Sequence, residues 1–504
     1  MANHYDSIIL GSGQAGTPLA TALAKAGHRT ALVESTHIGG TCINEGCTPT
    51  KTMVASARVA HLARRRHDYG VSLDTEDGAR GERAAVKVDM ARVRERKRDI
   101  VASFRGGSER RLAGVPGLDV LRGTGKFVGK AGGGEEGYEM EVELAAGSTA
   151  ETKAITAKRV FINTGCRPVP LRIPGAEGVA VLDSTTVMEL AAVPAKLAVV
   201  GGGYVGLEFA QMFRRFGAAV TIVQRAAQLL PKEDRDVADA MRAVLEQDGI
   251  EVLLNAIPVS LATATDGDGP IELQVEQKAA SSATAAATTT TTTVRNISHV
   301  LAAAGRTPNT AALGLAAVGV ATDARGFVQT DEFLETTAPG IFALGDVKGG
   351  PQFTHIAYDD FRVLRHNLLT TPIPAPAARQ SIAGRLVPYT VFTDPQLGRT
   401  GYTEASAVRA LGGSPARVRT ATMPMSWVAR ALETDETRGL LKAVVDADSG
   451  AVLGFACVGL EGGELASVVH AAILGGLSWR TLRDAVFPHP GLAEALNNLW
   501  TGLE

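Results

Sequence analysis

The stretch Gly11-Ser12-Gly13-Gln14-Ala15-Gly16 indicates the fold, and its context is decisive: an apolar run precedes it and an alanine-rich run follows it. Residues 5–10 before it form a predicted strand, and the alanine-rich run after it forms a predicted helix that ends at Gly27. A second predicted strand, residues 30–33, is closed by an acid, Glu34. This order of strand, glycine turn, helix, strand and acid is typical of a Rossmann-like nucleotide-binding unit.

Each glycine of this stretch has its own predicted role. Gly11 permits the tight turn, and Gly13 lets backbone N–H groups approach a pyrophosphate at the helix N-terminus. Gly16 allows the helix to pack closely on the strand. Glu34 can accept hydrogen bonds from ribose hydroxyls. Together these residues predict a dinucleotide site.

The same pattern recurs in the middle of the chain, where an apolar strand leads into a loop with Gly201, Gly203 and Gly206. The position of the ribose-binding acid is taken by Gln224, and Arg225 follows it. A carboxylate there would repel a 2′-phosphate, whereas an arginine suits it. The sequence therefore predicts a second dinucleotide and favours NADPH over NADH, although Gln224 could still hydrogen-bond a ribose hydroxyl.

Two of the four cysteines in the 504 residues, Cys42 and Cys47, closely follow the first glycine loop. The chain begins Met-Ala-Asn-His-Tyr without an apolar leader, so we expect a cytoplasmic protein in a reducing compartment. A close cysteine pair there is typical of catalysis or metal binding rather than of a structural disulfide. A nearby helix start and Lys51 would favour the thiolate. The alternative is two buried thiols that never touch.

The bulk composition excludes other classes of function. The net charge is −2, so no strong field indicates a nucleic-acid or membrane partner, and no apolar run has the length of a membrane span. Two dinucleotide sites with a cysteine pair between them instead predict an electron relay. In such a relay a nicotinamide reduces a flavin, and the flavin reduces a disulfide.

These motifs resemble the flavin-dependent pyridine nucleotide–disulfide oxidoreductases, the family of lipoamide dehydrogenase, glutathione reductase and mercuric reductase. The resemblance covers nearly the whole chain and implies an α/β fold of two Rossmann-like domains plus an α+β C-terminal dimerisation domain. It implies an FAD-binding domain in residues 1–170 and 307–376, an NAD(P)H-binding domain in 171–306 and a dimerisation domain in 387–504. Residues 279–293, almost all Ala, Ser and Thr, depart from the family as a low-complexity insertion, predicted to be a mobile loop or a hairpin tip.

The resemblance also implies roles for the residues around the cysteine pair. Cys42 would be the interchange thiol that faces the substrate, and Cys47 the thiol against the flavin. Lys51 would lie near the reactive nitrogen of the flavin and pair with Glu208. The remaining predicted FAD contacts are Thr164, Gly165, Gly305, Arg306, Gly345 and Asp346.

A motif near the end of the chain carries the acid–base chemistry in this resemblance. His489, between two prolines, would be the acid–base catalyst, and Glu494 would orient it. In the family this histidine serves the site of the partner subunit, which implies an obligatory homodimer. Cys166 and Cys457 are predicted to be packed thiols, and no resident metal site is predicted.

Three alternatives remain open for the function: reduction of a small disulfide such as glutathione or lipoamide, reduction of a soft metal ion such as Hg(II) or copper, or a flavin-binding protein with a vestigial redox centre. Residues 230–236, 352–360 and 387–395 resemble the mercuric-reductase-like and reactive-chlorine-resistance copper(II) reductase branch. Mercuric reductases proper end in a vicinal cysteine pair, which this sequence lacks, and His489 favours a thiol leaving group. We predict an NAD(P)H-dependent flavoprotein reductase of this branch that acts on a disulfide or a soft metal ion.

Overall fold

The computed structural model describes residues 3–72, 86–132, 136–145, 151–263, 269–278 and 289–503. It divides into two compact units. The first unit contains residues 1–52, 95–169 and 305–385, and the second contains 53–94, 170–304 and 386–504. Residues 279–288 of the predicted insertion lie outside the described residues.

The elements up to residue 169 begin as a βαβ unit, continue with three helices and end with four strands. They are β1 (Asn3–Leu10), α1 (Gly16–Lys25), β2 (Thr30–Glu34), α2 (Gly40–Asn44), α3 (Cys47–Arg65), α4 (Met90–Ala113), β3 (Leu118–Lys130), β4 (Tyr138–Leu144), β5 (Thr152–Ile162) and β6 (Cys166–Pro168). From residue 170 to 304 follow β7 (Val181–Leu182), β8 (Lys196–Val200), α5 (Tyr204–Phe216), β9 (Ala219–Val223), α6 (Arg235–Gln247), β10 (Glu251–Leu253), β11 (Ala256–Thr263), β12 (Ile271–Lys278), β13 (Thr289–Ile297) and β14 (His299–Ala302).

The rest of the chain returns to the first unit before a separate C-terminal sheet forms. Residues 305–385 contain β15 (Arg306–Pro308), β16 (Ile341–Ala343) and α7 (Thr354–Leu369). The C-terminal elements are β17 (Tyr389–Val391), β18 (Gln396–Gly401), α8 (Glu404–Ala410), β19 (Val418–Pro424), α9 (Ala429–Glu433), β20 (Leu440–Asp446), β21 (Val452–Gly459), α10 (Gly462–Leu474), α11 (Trp479–Arg483) and α12 (Ala495–Thr501).

The first unit is built on a parallel sheet in the order β3-β2-β1-β5-β16. The far ends of β3 and β5 leave this sheet and pair antiparallel with β4, which forms a second layer. Both faces of the parallel sheet are buried, as its continuous apolar strands require. One face packs on α1 and α7, and the other packs on the layer that contains β4.

The second unit contains a parallel sheet in the order β10-β9-β8-β14-β7 and a small antiparallel sheet β11-β12-β13. The parallel sheet packs α5, α6 and part of α3 on one face and the small sheet on the other. The described part of the predicted insertion, residues 289–293, belongs to β13 and pairs antiparallel with β12.

The second nucleotide fingerprint opens a βαβ unit of its own.

The C-terminal region of the second unit is a five-stranded antiparallel sheet in the order β17-β18-β21-β20-β19. Its core contains apolar side chains of α10, α11 and α12, with Trp500 fully buried. A buried ion pair between Arg399 of β18 and Glu233, 2.5 Å apart, ties this sheet to the loop before α6. The predicted α/β class with a C-terminal α+β domain is confirmed by this architecture together with the family comparisons given below.

The two fingerprints share one steric requirement. A Cβ atom on Gly16 would lie 2.1 Å from the carbonyl oxygen of Gly11, and a Cβ atom on Gly206 would lie 2.1 Å from that of Gly201. Both helices therefore start so close to the preceding turn that any side chain would displace them. The third glycine of each loop is explained by this approach.

The boundary between the units falls inside α3, after Thr52. The predicted FAD-binding domain included all of residues 1–170, whereas the second unit takes residues 53–94 because Met53 and Ala57 of α3 join the core with α5 and α6. The three-domain division remains a prediction. Within the described ranges, every helix is too short or too polar to cross a membrane.

Candidate active site

The first glycine loop is held against the end of β2 by Glu34. The Glu34 carboxylate accepts hydrogen bonds from the Ser12 N–H and hydroxyl, at 2.9 and 2.6 Å, and from the Thr36 N–H at 2.8 Å. The Ser12 hydroxyl also accepts the N–H of Gly39 at 3.0 Å. Ser12, which the sequence did not single out, therefore joins the nucleotide loop to the segment that carries the cysteines.

The two predicted redox cysteines lie on two successive helices, and both belong to the first unit. Cys42 is in the centre of α2, and Cys47 is the first residue of α3. Both are free thiols, and they are hydrogen-bonded to each other. The alternative of two buried thiols that never touch does not describe this structure, because the two thiols contact each other and Cys47 is exposed.

The side chain of Thr354 contacts the cysteine pair. The hydroxyl of Thr354, the first residue of α7, lies 3.2 Å from the Cys47 sulfur. The pKa of the Cys42 thiol is raised above its ordinary value, first by the hydrogen bond with Cys47 and then by burial. A hydrogen bond from Thr354 and the positive charge of Lys51 act in the opposite direction. The neighbouring thiol and burial therefore favour the protonated Cys42, whereas Thr354 and Lys51 favour its thiolate.

Thr354 was missed in the sequence, although it lies within the quoted stretch 352–360. No local spacing links it to a cysteine 307 residues earlier. Its position at the start of a sixteen-residue helix was the one available signal, since helix N-termini favour negative charge.

The predicted flavin contacts at the carboxyl end of β5 lie together in the first unit. The side chains and backbones of Thr164 and Asn309 exchange two hydrogen bonds of 2.9 Å, and Arg306 donates to the Cys166 carbonyl at 2.6 Å. These contacts extend the β15–β6 pair, which brings Gly305 beside Val169. Gly165 accepts the backbone N–H of Asn309 at 3.0 Å.

The predicted ribityl ligand, Asp346, has an unusual environment. Burial raises the pKa of its carboxyl group, against the opposing charges of Arg306 and Lys348. Within the described ranges the Asp346 carboxylate accepts no hydrogen bond from the protein, although the buried Asp360 fixes the turn in front of it through the Gly345 N–H at 2.8 Å. A half-buried acceptor of this kind fits the hydroxyls of a polyol chain, so the residues present fit a flavin dinucleotide.

The second fingerprint repeats the geometry of the first with different chemistry. Gly202 donates its N–H to the Gln224 side-chain oxygen at 3.2 Å, as Ser12 does to Glu34. The Gln224 amide nitrogen donates to the Gln228 carbonyl at 3.1 Å, so both ends of this buried side chain contact protein. Arg225 beside it is exposed. The loop residues Gly201, Gly203 and Gly206 surround the N-terminus of α5.

Glu208 lies on α5 in the second unit and is almost fully buried. Its carboxylate accepts the N–H of Phe392 at 2.8 Å. Lys51 belongs to the first unit, so the predicted pairing of Lys51 with Glu208 stays a prediction.

The predicted acid–base pair forms in the second unit. His489 Nδ1 lies 2.9 Å from Glu494 Oε2, and the imidazole is 69% exposed. The carboxylate fixes the ring by Nδ1 and leaves Nε2 on the opposite side. The two other cysteines are buried, and burial raises the pKa of both Cys166 and Cys457 to about 12. The described residues contain no group of three His, Cys, Asp or Glu side chains that could hold a metal ion.

Comparison with known proteins places these features in a family. Residues 5–360 match the profile described as pyridine nucleotide-disulphide oxidoreductase, and residues 387–500 match its dimerisation domain. The chain is 35% identical to the probable pyridine nucleotide-disulfide oxidoreductase RclA of Escherichia coli, over 99% of each chain. A solved Cu(II) complex of the HOCl-induced flavoprotein disulfide reductase RclA from Escherichia coli matches with a TM-score of 0.82 and 34% identity over both full lengths.

Two further relatives are named for different activities. The mercuric reductase of Staphylococcus aureus is 32% identical over 98% of this chain and 81% of its own length. The dihydrolipoyl dehydrogenase of Thermus scotoductus is 31% identical over 98% of this chain and 96% of its own. The relatives thus include both metal-ion and disulfide chemistry on one scaffold.

Proposed function

The chain belongs to the pyridine nucleotide-disulphide oxidoreductase family, and from this premise we propose that it is an FAD- and NADPH-dependent reductase whose Cys42–Cys47 pair passes electrons to a disulfide or a soft metal ion. The family membership establishes an oxidoreductase that uses a flavin and a pyridine nucleotide. One observation supports the proposed site above all: the Cys42 and Cys47 thiols contact each other, and the Thr354 hydroxyl lies beside them.

The proposed division of labour between the two thiols is the one that the family resemblance implies. Cys42, in the centre of α2, is the nucleophile toward the acceptor, and Cys47, at the N-terminus of the nineteen-residue α3, is the thiol on the flavin side. The start of α3 and the charge of Lys51 stabilise a thiolate. The Thr354 hydroxyl donates to whichever sulfur is ionised. When bound, the flavin and the nicotinamide supply the electron transfer that returns the pair to the dithiol.

The disulfide route balances in two exchanges. The Cys42 thiolate attacks one sulfur of the acceptor, forms a mixed disulfide and releases the first acceptor thiolate. The Cys47 thiolate then attacks the Cys42 sulfur, which releases the second acceptor thiolate and oxidises the pair. His489, oriented by Glu494, protonates a leaving thiolate, and by family resemblance it serves the site of the partner subunit.

A soft metal ion is the second candidate acceptor. Two adjacent thiolates are soft ligands, and a structure similar to this chain holds Cu(II). Oxidation of the dithiol to the disulfide releases two electrons and two protons, which balances the reduction of two Cu(II) to two Cu(I). This route has no thiol leaving group, so it does not need the His489 proton.

Two choices of cofactor are part of the proposal. The half-buried Asp346 carboxylate, which accepts no hydrogen bond from the described residues, supports FAD, since it fits the hydroxyls of the ribityl chain. The exposed Arg225 supports NADPH, because the neighbouring Gln224 carries no charge to repel a 2′-phosphate and is occupied by Gly202 and Gln228.

A turnover screen of the flavin-loaded enzyme tests the function. NADPH consumption is followed with oxidised glutathione, lipoamide, Cu(II) and Hg(II) as acceptors. Cys42→Ser is expected to abolish disulfide turnover and keep flavin bound, whereas Cys457→Ala, which removes a buried thiol of β21, is the matched control. An active Cys42→Ser variant, or a wild-type enzyme that holds flavin and reduces none of the four acceptors, would contradict the proposal and favour the vestigial alternative.

A further inference from the structure

The helix that carries Cys42 has little support of its own. α2 has five residues, and helices of this length are unstable in isolation. Its N-cap residue, Gly39, has a φ of 103° and offers no side-chain cap. The position of the Cys42 thiol therefore depends on contacts from outside the helix.

One side chain closes the segment around Cys42. Asn44 Nδ2 donates to the carbonyl oxygens of Ile38 and Gly40, at 3.1 and 2.9 Å. Ile38 and Gly40 precede Cys42 in the chain and Asn44 follows it, so the Asn44 side chain links the backbone on the two sides of the cysteine. Rotation of the Asn44 amide would break both hydrogen bonds at once.

Arg105 fixes the orientation of that amide. Its Nε donates to Asn44 Oδ1 at 2.7 Å, a charge-assisted hydrogen bond from α4 to α2 within the first unit. With this contact the Asn44 side chain uses its oxygen and its nitrogen together. Arg105 is half-buried, so the hydrogen bond is partly shielded from water.

We propose that Arg105 is a positioning residue for the redox reaction: through Asn44 it holds the helix that carries Cys42 and so sets the reactivity of the Cys42 thiol. The inference rests on the proposed function for its link to turnover. Its structural part, the effect of Arg105 on Cys42, does not require any particular acceptor. Arg105 touches neither sulfur in the described contacts and acts only through Asn44.

The test measures Cys42 itself. The flavin-loaded enzyme is reduced, and the rate of Cys42 alkylation by iodoacetamide is followed by peptide mass spectrometry across a range of pH. R105Q is expected to slow the alkylation at neutral pH and the turnover of a disulfide acceptor by roughly tenfold each, the usual size of an effect that acts through a neighbouring residue. The matched control is R110Q, which removes an exposed arginine of the same helix. Alkylation of R105Q at the R110Q rate would overturn the inference.

Two further variants separate positioning from other effects. R105K keeps a positive donor for the single hydrogen bond and should recover most of the loss, while equal losses in R105K and R105Q would count against the proposal. In the double variant N44A/R105Q the loss should match that of N44A alone, and losses that multiply would show that Arg105 does not act through Asn44.

The readouts also distinguish this inference from the proposed function. If the wild-type enzyme turns over no acceptor, the proposed function fails, and the alkylation profiles still decide the role of Arg105. If the wild type is active and R105Q matches R110Q in alkylation, the inference alone fails. Thermal unfolding of each variant confirms that the comparison is made on folded protein.

Discussion

Thr354 Oγ1 lies 3.2 Å from Cys47 Sγ, although 307 residues separate them in the chain. The contact joins the start of α7 to the start of α3, so the two sulfurs are next to a hydroxyl donor and two helix N-termini. Both features stabilise negative charge on sulfur. The contact makes Thr354 a part of the predicted redox site.

Removal of this hydroxyl should weaken the thiolate. A hydrogen bond to a charged group contributes about 1.5–3 kcal/mol, so Thr354→Val should lower the rate of disulfide reduction roughly ten- to a hundredfold. The pH dependence of Cys42 alkylation should shift to higher pH, because the Thr354 hydrogen bond acts to lower the pKa of this thiol and the substitution removes it. Thr370→Val, an exposed threonine at the other end of α7, is the control. A variant with an unchanged alkylation profile would refute the role.

Features set by local spacing could be predicted from the sequence. The two glycine loops, the cysteine pair and the His489–Glu494 pair each depend on residues close in the chain, and the family they predict is confirmed. Contacts between distant segments could not be predicted. Thr354 beside Cys47 and Phe392 beside Glu208, 184 residues apart, depend on how separate elements pack.

The choice of nucleotide should depend on one exposed side chain. Gln224 is occupied by Gly202 and Gln228, which leaves Arg225 to meet a 2′-phosphate. Arg225→Ala should raise KM for NADPH roughly ten- to a hundredfold and change KM for NADH little, because NADH has no phosphate at that position. Arg242→Ala, in an exposed pair with Glu246 on α6, is the control. Equal KM changes for both nucleotides, or a wild-type preference for NADH, would contradict this assignment.

His489 should matter more where a thiolate leaves than in the direct reduction of a metal ion. Acid–base groups contribute roughly 10²–10⁴-fold to rates, so His489→Ala should reduce disulfide turnover about a hundredfold or more. Reduction of Cu(II) should fall much less, because no leaving group takes a proton. Glu494→Gln, which weakens the 2.9 Å contact to Nδ1 and keeps the imidazole, should give a smaller loss on disulfides. Losses of the same size on both acceptors would disprove the distinction.

A half-buried histidine on α3 should make the second unit sensitive to acid. His61 Nε2 is buried and has no hydrogen-bond partner among the described residues, and the ring lies near four charged groups: Arg215, Asp248, Asp394 and Arg438. Burial, followed by the charge of Arg215, lowers the pKa of His61 from its ordinary 6.5 to about 4. The carboxylates of Asp248 and Asp394 oppose this shift but do not overcome it.

The sign of the resulting pH dependence follows from proton binding. Above pH 6.5 the folded and the unfolded chain both hold a neutral His61, and between pH 6.5 and 4 only the unfolded chain binds the proton. The free energy of unfolding should therefore fall as the pH drops through this window. His61→Asn removes that term, so its thermal midpoint should fall less steeply from pH 6.5 to 4 than that of the wild type, whereas the exposed His67→Asn should follow the wild type. Parallel curves for wild type and His61→Asn would contradict this prediction. They would mean that His61 binds its proton at the same pH in the folded and the unfolded chain, so that the charges of Arg215 and Asp394 tolerate the imidazolium.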